Sequence, residues 1–225
     1  MNLTIENPPV TLRELSLNKL RNAIISGYFP AGKRLVERSL CEEMGVSRSV
    51  VREVIRYLEA EGLVETMTGK GPTVSSMSWE VAAQIYQIRL LLEQNAVAGC
   101  TANLTPETAL QIQDLLAEFK RAFDGDDVNA IIAVSSTLYE KIFSIAGQSV
   151  AWEVVQRLNG RISRLRAMTM KSTNRSNSGY QRIEKICRAI CELRDPELAR
   201  LAVHEHISEA AAVAQRILEN EQEKS

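Results

Sequence analysis

Residues Glu37 to Gly62 read ERSLCEEMGVSRSVVREVIRYLEAEG, and the fold turns on them. Two stretches of helical periodicity flank a tight turn at Met44-Gly45-Val46-Ser47. In the second stretch Val50, Val51, Val54, Ile55 and Leu58 return at the i, i+3, i+4 spacing of a buried face. Ser47 stands at the N-cap, where its hydroxyl accepts a bond from an otherwise unpaired backbone N–H. Arg48, Arg52 and Arg56 form an i, i+4 row on another side, with Ser49 beside them. Like charges at that spacing destabilise a helix by about 0.2–0.5 kcal/mol per pair. A helix tuned for stability alone would interleave Glu there, as Glu53 and Glu59 do on neighbouring faces. An apolar-backed helix with a basic outer side, entered through a glycine turn, has the chemistry of a helix-turn-helix whose second helix enters a DNA major groove.

The rest of the composition narrows the class. With 225 residues the chain is long enough for two domains or one large one. Only 5% of residues are aromatic, and Ala, Leu, Ile, Glu and Arg are abundant, which favours helix over sheet. The net charge of −1 supplies no global positive field, so affinity for nucleic acid must come from a local patch. Cys41, Cys100, Cys187 and Cys191 form no CxxC pair and no zinc-type grouping, and buried thiols are the reading their spacing supports. No apolar run approaches the roughly 20 residues a membrane span needs, and the N-terminus lacks a signal-peptide pattern. A cytoplasmic protein with no membrane partner is expected.

Outward from the helix-turn-helix, residues before about Val10 read as a loose arm ended by Pro8-Pro9. Leu12, Leu15, Leu20, Ala23 and Ile24 fit a helix closed by Gly27, and Lys33 to Val36 is short enough for a single strand. Leu63 to Thr66 alternates like a strand, turns at Thr68-Gly69-Lys70-Gly71-Pro72 and returns at Thr73 to Ser75. These parts make a winged helix that ends in the polar linker Ser75 to Ser78. Everything beyond Trp79 reads as helix. Ile85, Ile88, Leu92 and Ala96 carry one stripe. Thr105-Pro106-Glu107 opens a second helix, with a capping Thr and Pro at the first position. Further helices span about Asp127 to Ala146, Ser149 to Lys171, and Tyr180 to Leu193. A last one follows Asp195-Pro196-Glu197, and a polar loop covers Ser172 to Gly179. The expected fold is mostly α: an N-terminal winged helix-turn-helix with a small β-wing, then a C-terminal all-α antiparallel helical bundle.

This order of parts resembles the GntR-type bacterial transcription regulators. GVSRSVVREVIRYLEAEGLV is close to the G-x-S-R-x-x-V-R-E-A-L-x-x-L-E-x-x-G-L-V usual in that family. The second half resembles the FadR-like (FCD) branch through IYQIRLLLEQNAV around Arg89 and Glu93, and LRDPELARLAVHEHI near the end. The resemblance implies a DNA-binding domain over residues 1–77, ordered from about residue 10. It implies an effector-binding and dimerisation domain over 78–225. Its DNA-contacting places fall on Arg38, Ser47, Arg48, Ser49 and Arg52, with Gly69 and Lys70 in the wing. Those residue types make physical sense on a duplex, because Arg forks onto guanine O6 and N7 while Ser, Lys and backbone N–H groups hold phosphates.

Many FCD-type domains hold a divalent metal through an Asp-x3-His pair and two later histidines. In this chain the pair falls on Ser136 and Glu140, and the middle histidine on Ile183 or Glu184. Only the last survives, as His206, and the chain's two histidines are His204 and His206. No metal or other cofactor is expected, since N/O metal sites normally take three or more protein ligands. A small-molecule effector, such as a carboxylate, would then be held in a cavity between bundle helices. Arg89 is the candidate cationic anchor, with Arg161 and Arg164 behind it. Ser136, Tyr139, Glu140 and His206 would add polar lining.

The function this supports is a sequence-specific transcription regulator, a repressor by the resemblance, that binds a double-stranded operator as a homodimer under metabolite control. Two other readings stay open: an effector-independent dimer that binds DNA or protein, and an all-α enzyme with an appended winged helix. Against the enzyme, the sequence holds no Ser/His/Asp grouping, no phosphate-binding glycine loop opening a helix and no His-rich cluster.

Overall fold

Residues 11–67, 69, 71–170 and 179–222 are described by the computed structural model. The chain forms two compact units, Met1–Ser76 and Met77–Ser225.

In the first unit Thr11 caps α1 (Leu12–Ile25) through a capping box: its side chain accepts from the Glu14 N–H, and the Glu14 carboxylate accepts from the Thr11 N–H. The buried strip of α1 is narrow and runs through Ser16, Leu20 and Ile24, so Leu12 and Leu15, read as part of the apolar face, are exposed instead. α2 (Glu37–Met44) ends at Gly45, whose φ of 66° is left-handed, and Val46 returns its N–H to the Cys41 carbonyl. α3 (Arg48–Ala60) follows at once, capped by the Ser47 hydroxyl. Val51, Val54, Ile55 and Leu58 of α3 are buried with Leu20, Ile24, Leu40 and Leu63 in one apolar core.

β1 (Val64–Met67) and β2 (Gly71–Val74) pair antiparallel, with Val64 opposite Val74 and Met67 opposite Gly71. The segment Lys33–Val36, read as a strand, narrows to a single bridge between Arg34 and Thr73. Hydrogen bonds from Leu35 N–H to the Pro72 carbonyl and from Val74 N–H to the Lys33 carbonyl hold it there. Pro72 has no N–H of its own to give, and it sits where only its carbonyl is needed.

The second unit is a helical bundle. Its elements are α4 (Trp79–Ala102), α5 (Pro106–Asp124), α6 (Val128–Ile145), α7 (Ser149–Met170), α8 (Gly179–Arg188) and α9 (Pro196–Gln222). α4 packs most extensively on α9, while α5 lies against α6, and α6 against α4 and α7. Thr105 and Asp127 cap α5 and α6 through their side chains. α8 continues without a break into a π-helical turn, Ala189–Leu193, ended by Arg194 in the left-handed region. On α4 Ile85 and Ala96 are buried as the stripe requires, whereas Ile88 faces outward. Of the polar segment read as a loop, residues 172–178 lie outside the described residues and Gly179 already begins α8.

Candidate functional site

Two places carry chemistry, one in each unit. In the first unit the packing of Val51, Val54, Ile55 and Leu58 inward leaves Arg48, Arg52 and Arg56 exposed. Arg48 and Arg56 meet no hydrogen-bond or ion-pair partner among the described residues. Arg52 Nε reaches across to α2 and donates to both carboxylate oxygens of Glu37, at 3.0 and 3.1 Å. Arg38 donates to Glu42 one turn along α2, at 3.0 Å. Both pairs stand in water, the Arg38 side chain being 80% exposed and Arg52 61%. Such pairs contribute roughly 0–1 kcal/mol, so phosphates can take over these guanidiniums at small cost. Ser47 Oγ lies 2.8 Å from Ser49 Oγ at the N-terminus of α3, where backbone N–H groups already favour an anion. Gly69 turns the wing with a φ of 82°, a conformation that an L side chain resists.

In the second unit the helices line a cavity of about 670 Å³. α6 lines it with Val128, Ile131, Ile132, Ser135 and Tyr139, which share one helical face. α7 contributes Arg166, Thr169 and Met170, and α9 adds His206. Phe119 and Phe123 of α5 form an aromatic wall, extended by Tyr180, whose ring stacks on Phe119 at 6.4 Å between centroids. On α4, Arg89 Nε donates to Glu93 Oε1 at 2.7 Å, and both side chains are only 1% exposed. Burial opposes the Arg89 charge, yet the adjoining Glu93 carboxylate and Tyr139 raise its pKa overall, so the guanidinium stays protonated. Arg166 Nη1 donates to Ser135 Oγ at 3.0 Å, and its guanidinium lies 5.4 Å from the centre of the Tyr139 ring. Burial, and then the Glu93 carboxylate, hold the Tyr139 phenol protonated to well above its ordinary pKa. Its oxygen makes no hydrogen bond of good geometry among the described residues.

The residues that converge on the cavity do not fit a divalent metal ion. They include one carboxylate, Asp126, one imidazole, His206, the Ser135 hydroxyl, the phenols of Tyr86 and Tyr139 and an isoleucine at 183, and no group of three His, Cys, Asp or Glu suited to a metal occurs among the described residues. Positive charge in this cavity comes from side chains.

The model of the FCD domain matches residues 84–209, and that of the gntR family of bacterial regulatory proteins matches residues 17–74. This chain belongs to the FCD branch of the gntR family. It is a DNA-binding transcription regulator. Among its relatives, the HTH-type transcriptional regulator YdhC of Bacillus subtilis is 25% identical over 207 residues, 92% of each chain. McbR of Escherichia coli is 28% identical over 141 residues, covering 63% of this chain and 64% of McbR. The HTH-type transcriptional repressor RspR of the same species is 21% identical over 218 residues, covering 96% and 95%. The solved structure of E. coli McbR/YncC superposes with a TM-score of 0.76 at 23% identity, covering 92% of this chain and 99% of that one, which establishes the shared fold. No described helix is long and apolar enough to cross a membrane.

In this FCD-type regulator Arg38, Ser47, Arg48, Ser49, Arg52 and Gly69 all lie exposed on the helix-turn-helix or the wing, and Lys70 lies outside the described residues. Arg34 joins them unannounced: a Cβ placed on Gly71 would lie 3.9 Å from its guanidinium, at the wing. In the FCD bundle Arg89, Tyr139 and His206 reach the cavity, while Ser136, Glu140, Arg161 and Arg164 do not line it. Ser135 and Tyr139 take the inward places that the motif register put on Ser136 and Glu140; a step of one residue turns a helix by about 100°. Of the arginines on α7, Arg166 lines the cavity where Arg161 and Arg164 were expected. Arg164 lies about 200° round α7 from it, on the opposite face. The signal for Arg166 is its i, i+3, i+4 company with Thr169 and Met170, which is weak without knowing which neighbours α7 meets.

Proposed function

We propose that this regulator is a homodimeric repressor, acting in the cytoplasm, that releases a pseudo-palindromic operator when a small anionic metabolite enters the bundle cavity. The observation that carries the reading is the 670 Å³ cavity, within the range of small-molecule sites, reached by charged side chains from α4 and α7. Arg48 and Arg52 read base edges from α3. Arg38, Ser47, Ser49 and the wing residues Gly69 and Lys70 hold backbone phosphates. A two-fold dimer matches the symmetry of paired half-sites. On α4 the exposed Val81, Ile88 and Leu91 share one face, an apolar stripe of the kind a second copy covers. The metabolite shifts the balance only by its difference in affinity for the DNA-bound and DNA-free arrangements.

The test is an operator titration by fluorescence anisotropy, using the DNA upstream of the regulator's own gene, with the oligomeric state read by light scattering. Arg48→Ala costs about 1–3 kcal/mol of operator affinity and relaxes base preference. Equal affinity for the variant and the unmodified protein removes the reading surface, and a monomer in solution removes the dimer.

A further inference from the structure

Arg34 stands outside both helices of the helix-turn-helix, yet its side chain reaches the wing. Leu35 is buried in the core of the first unit, and side chains alternate along an extended segment, so Arg34 faces outward and is exposed. The backbone on either side of it is pinned to β2. Leu35 N–H donates to the Pro72 carbonyl at 2.8 Å, and Val74 N–H donates to the Lys33 carbonyl at 2.9 Å. The bridge partner of Arg34 is Thr73, but its Nε and Nη2 lie 3.9 Å from where a Cβ on Gly71 would stand. The guanidinium therefore runs two residues along β2 towards the hairpin turn, about 7 Å at the rise of a strand. Gly71 puts no side chain between it and that turn.

Its charge is uncompensated. In the same unit Arg13, Arg21, Arg38 and Arg52 each meet a glutamate. Arg34 forms no ion pair and no side-chain hydrogen bond among the described residues, a state it shares with Arg48 and Arg56. Glu65 faces Thr73 from the other strand and does not pair with Arg34. The Thr73 hydroxyl donates to the Gly71 carbonyl at 3.2 Å. Thr73 is only 6% exposed on this outer face, which fits long stems lying over it from both sides. A cation with its stem laid on the sheet and its fork open to solvent has lost part of its freedom before any ligand arrives.

Resting on the reading that the wing meets the operator, we infer that Arg34 is a further DNA-contacting residue, which neutralises a backbone phosphate beside the groove the hairpin enters. Its guanidinium is set back from the turn at Gly69, so it meets the phosphate ridge while the turn goes deeper. Two N–H groups of the fork match two phosphate oxygens, and such a contact positions the protein without reading sequence.

The experiment measures binding of the full-length protein across a salt series, to the duplex upstream of its own gene and to an unrelated duplex of equal length. Arg34→Gln weakens both by about threefold to tenfold at low salt and lowers the log–log salt slope by about 0.9, the share of one phosphate. The preference between the two duplexes stays the same. Arg34→Lys keeps the charge and restores most of the affinity and the slope, which a purely structural role would not require. Arg48→Ala is titrated alongside. Undiminished binding and slope for Arg34→Gln, with Arg48→Ala impaired, overturns the inference and leaves the reading surface standing. Undiminished binding by both variants removes the inference and the reading together. A loss that Arg34→Lys does not restore, or one confined to the upstream duplex, also overturns it. In the unmodified protein, phenylglyoxal labelling read by mass spectrometry finds Arg34 shielded by the duplex. Labelling of Arg34 that DNA leaves undiminished overturns the contact without any variant.

Discussion

Arg89 and Glu93 meet one turn apart on α4, Nε to Oε1 at 2.7 Å, with each side chain 1% exposed. A pair so thoroughly removed from water has a large desolvation cost, which the mutual attraction offsets only while both charges are present. Arg89→Leu therefore strands the Glu93 carboxylate and lowers stability by about 3–5 kcal/mol. The double variant Arg89→Met with Glu93→Leu removes both charges together and recovers most of that loss. Urea denaturation of the two variants checks this. A double variant as unstable as the single one would show that the pair's contacts with its neighbours, rather than its charge balance, set the cost.

The ion pair between α3 and α2 makes a different prediction. Glu37 holds Arg52 at 3.0 Å on an exposed surface, so on the proposed reading of Arg52 as a base contact the carboxylate competes with the operator for the guanidinium. Glu37→Gln frees the guanidinium and removes a negative charge from beside the phosphates. Operator affinity rises about twofold to fivefold at low salt, the scale of one exposed pair, and the gain fades as salt is added. Arg52→Ala acts oppositely and costs about 1–3 kcal/mol. Anisotropy titrations across a salt series measure both. A fall in affinity for Glu37→Gln would mean that Glu37 positions Arg52 for DNA rather than competing for it.

The winged helix was legible because local signals agree with one another. Ser47 caps, Gly45 turns, and the apolar positions of α3 fall on one face with the arginines opposite. The bundle helices were legible for the same reason, down to the Thr105 cap, while Asp127, read as the start of a helix, proves to be its cap. The cavity was less so, because a pocket is a property of several helices at once. Motif spacing led to Ser136 and Glu140, one residue out of phase with the inward Ser135 and Tyr139. The run RISRLRAM offers three arginines, and only packing against α6 selects Arg166. The π turn after α8 carries no mark in sequence that separates it from ordinary helix.

Cys100 introduces a pH dependence. It is buried on α4, and burial pushes its thiol from the usual 9.0 up to about 12. A folded pKa above the unfolded one means that the native state binds more protons in between. Stability is thus fully present below pH 9 and falls as pH rises towards about 12. Cys187 is shifted in the same direction by burial and adds to the slope. Thermal unfolding between pH 8 and the alkaline limit, compared with Cys100→Ala, checks it; the variant loses part of the slope while carrying a constant packing penalty. An identical slope in the variant would place the alkaline sensitivity elsewhere.

Gly45 is the point where α2 must stop so that α3 can present its arginines. Its φ of 66° lies in the left-handed region, and a Cβ built there meets nothing within 4 Å. Sterically the site is open, so any cost of Gly45→Ala comes from backbone conformation, about 1–2 kcal/mol. Asn tolerates that region better, so Gly45→Asn loses less than Ala despite its larger side chain. If crowding were the constraint, the order would reverse. Chemical denaturation ranks the two variants, and operator titration shows whether the turn also sets the angle of α3: a well-folded Gly45→Asn that binds DNA poorly would mean that the exposed face of residue 45 approaches the duplex.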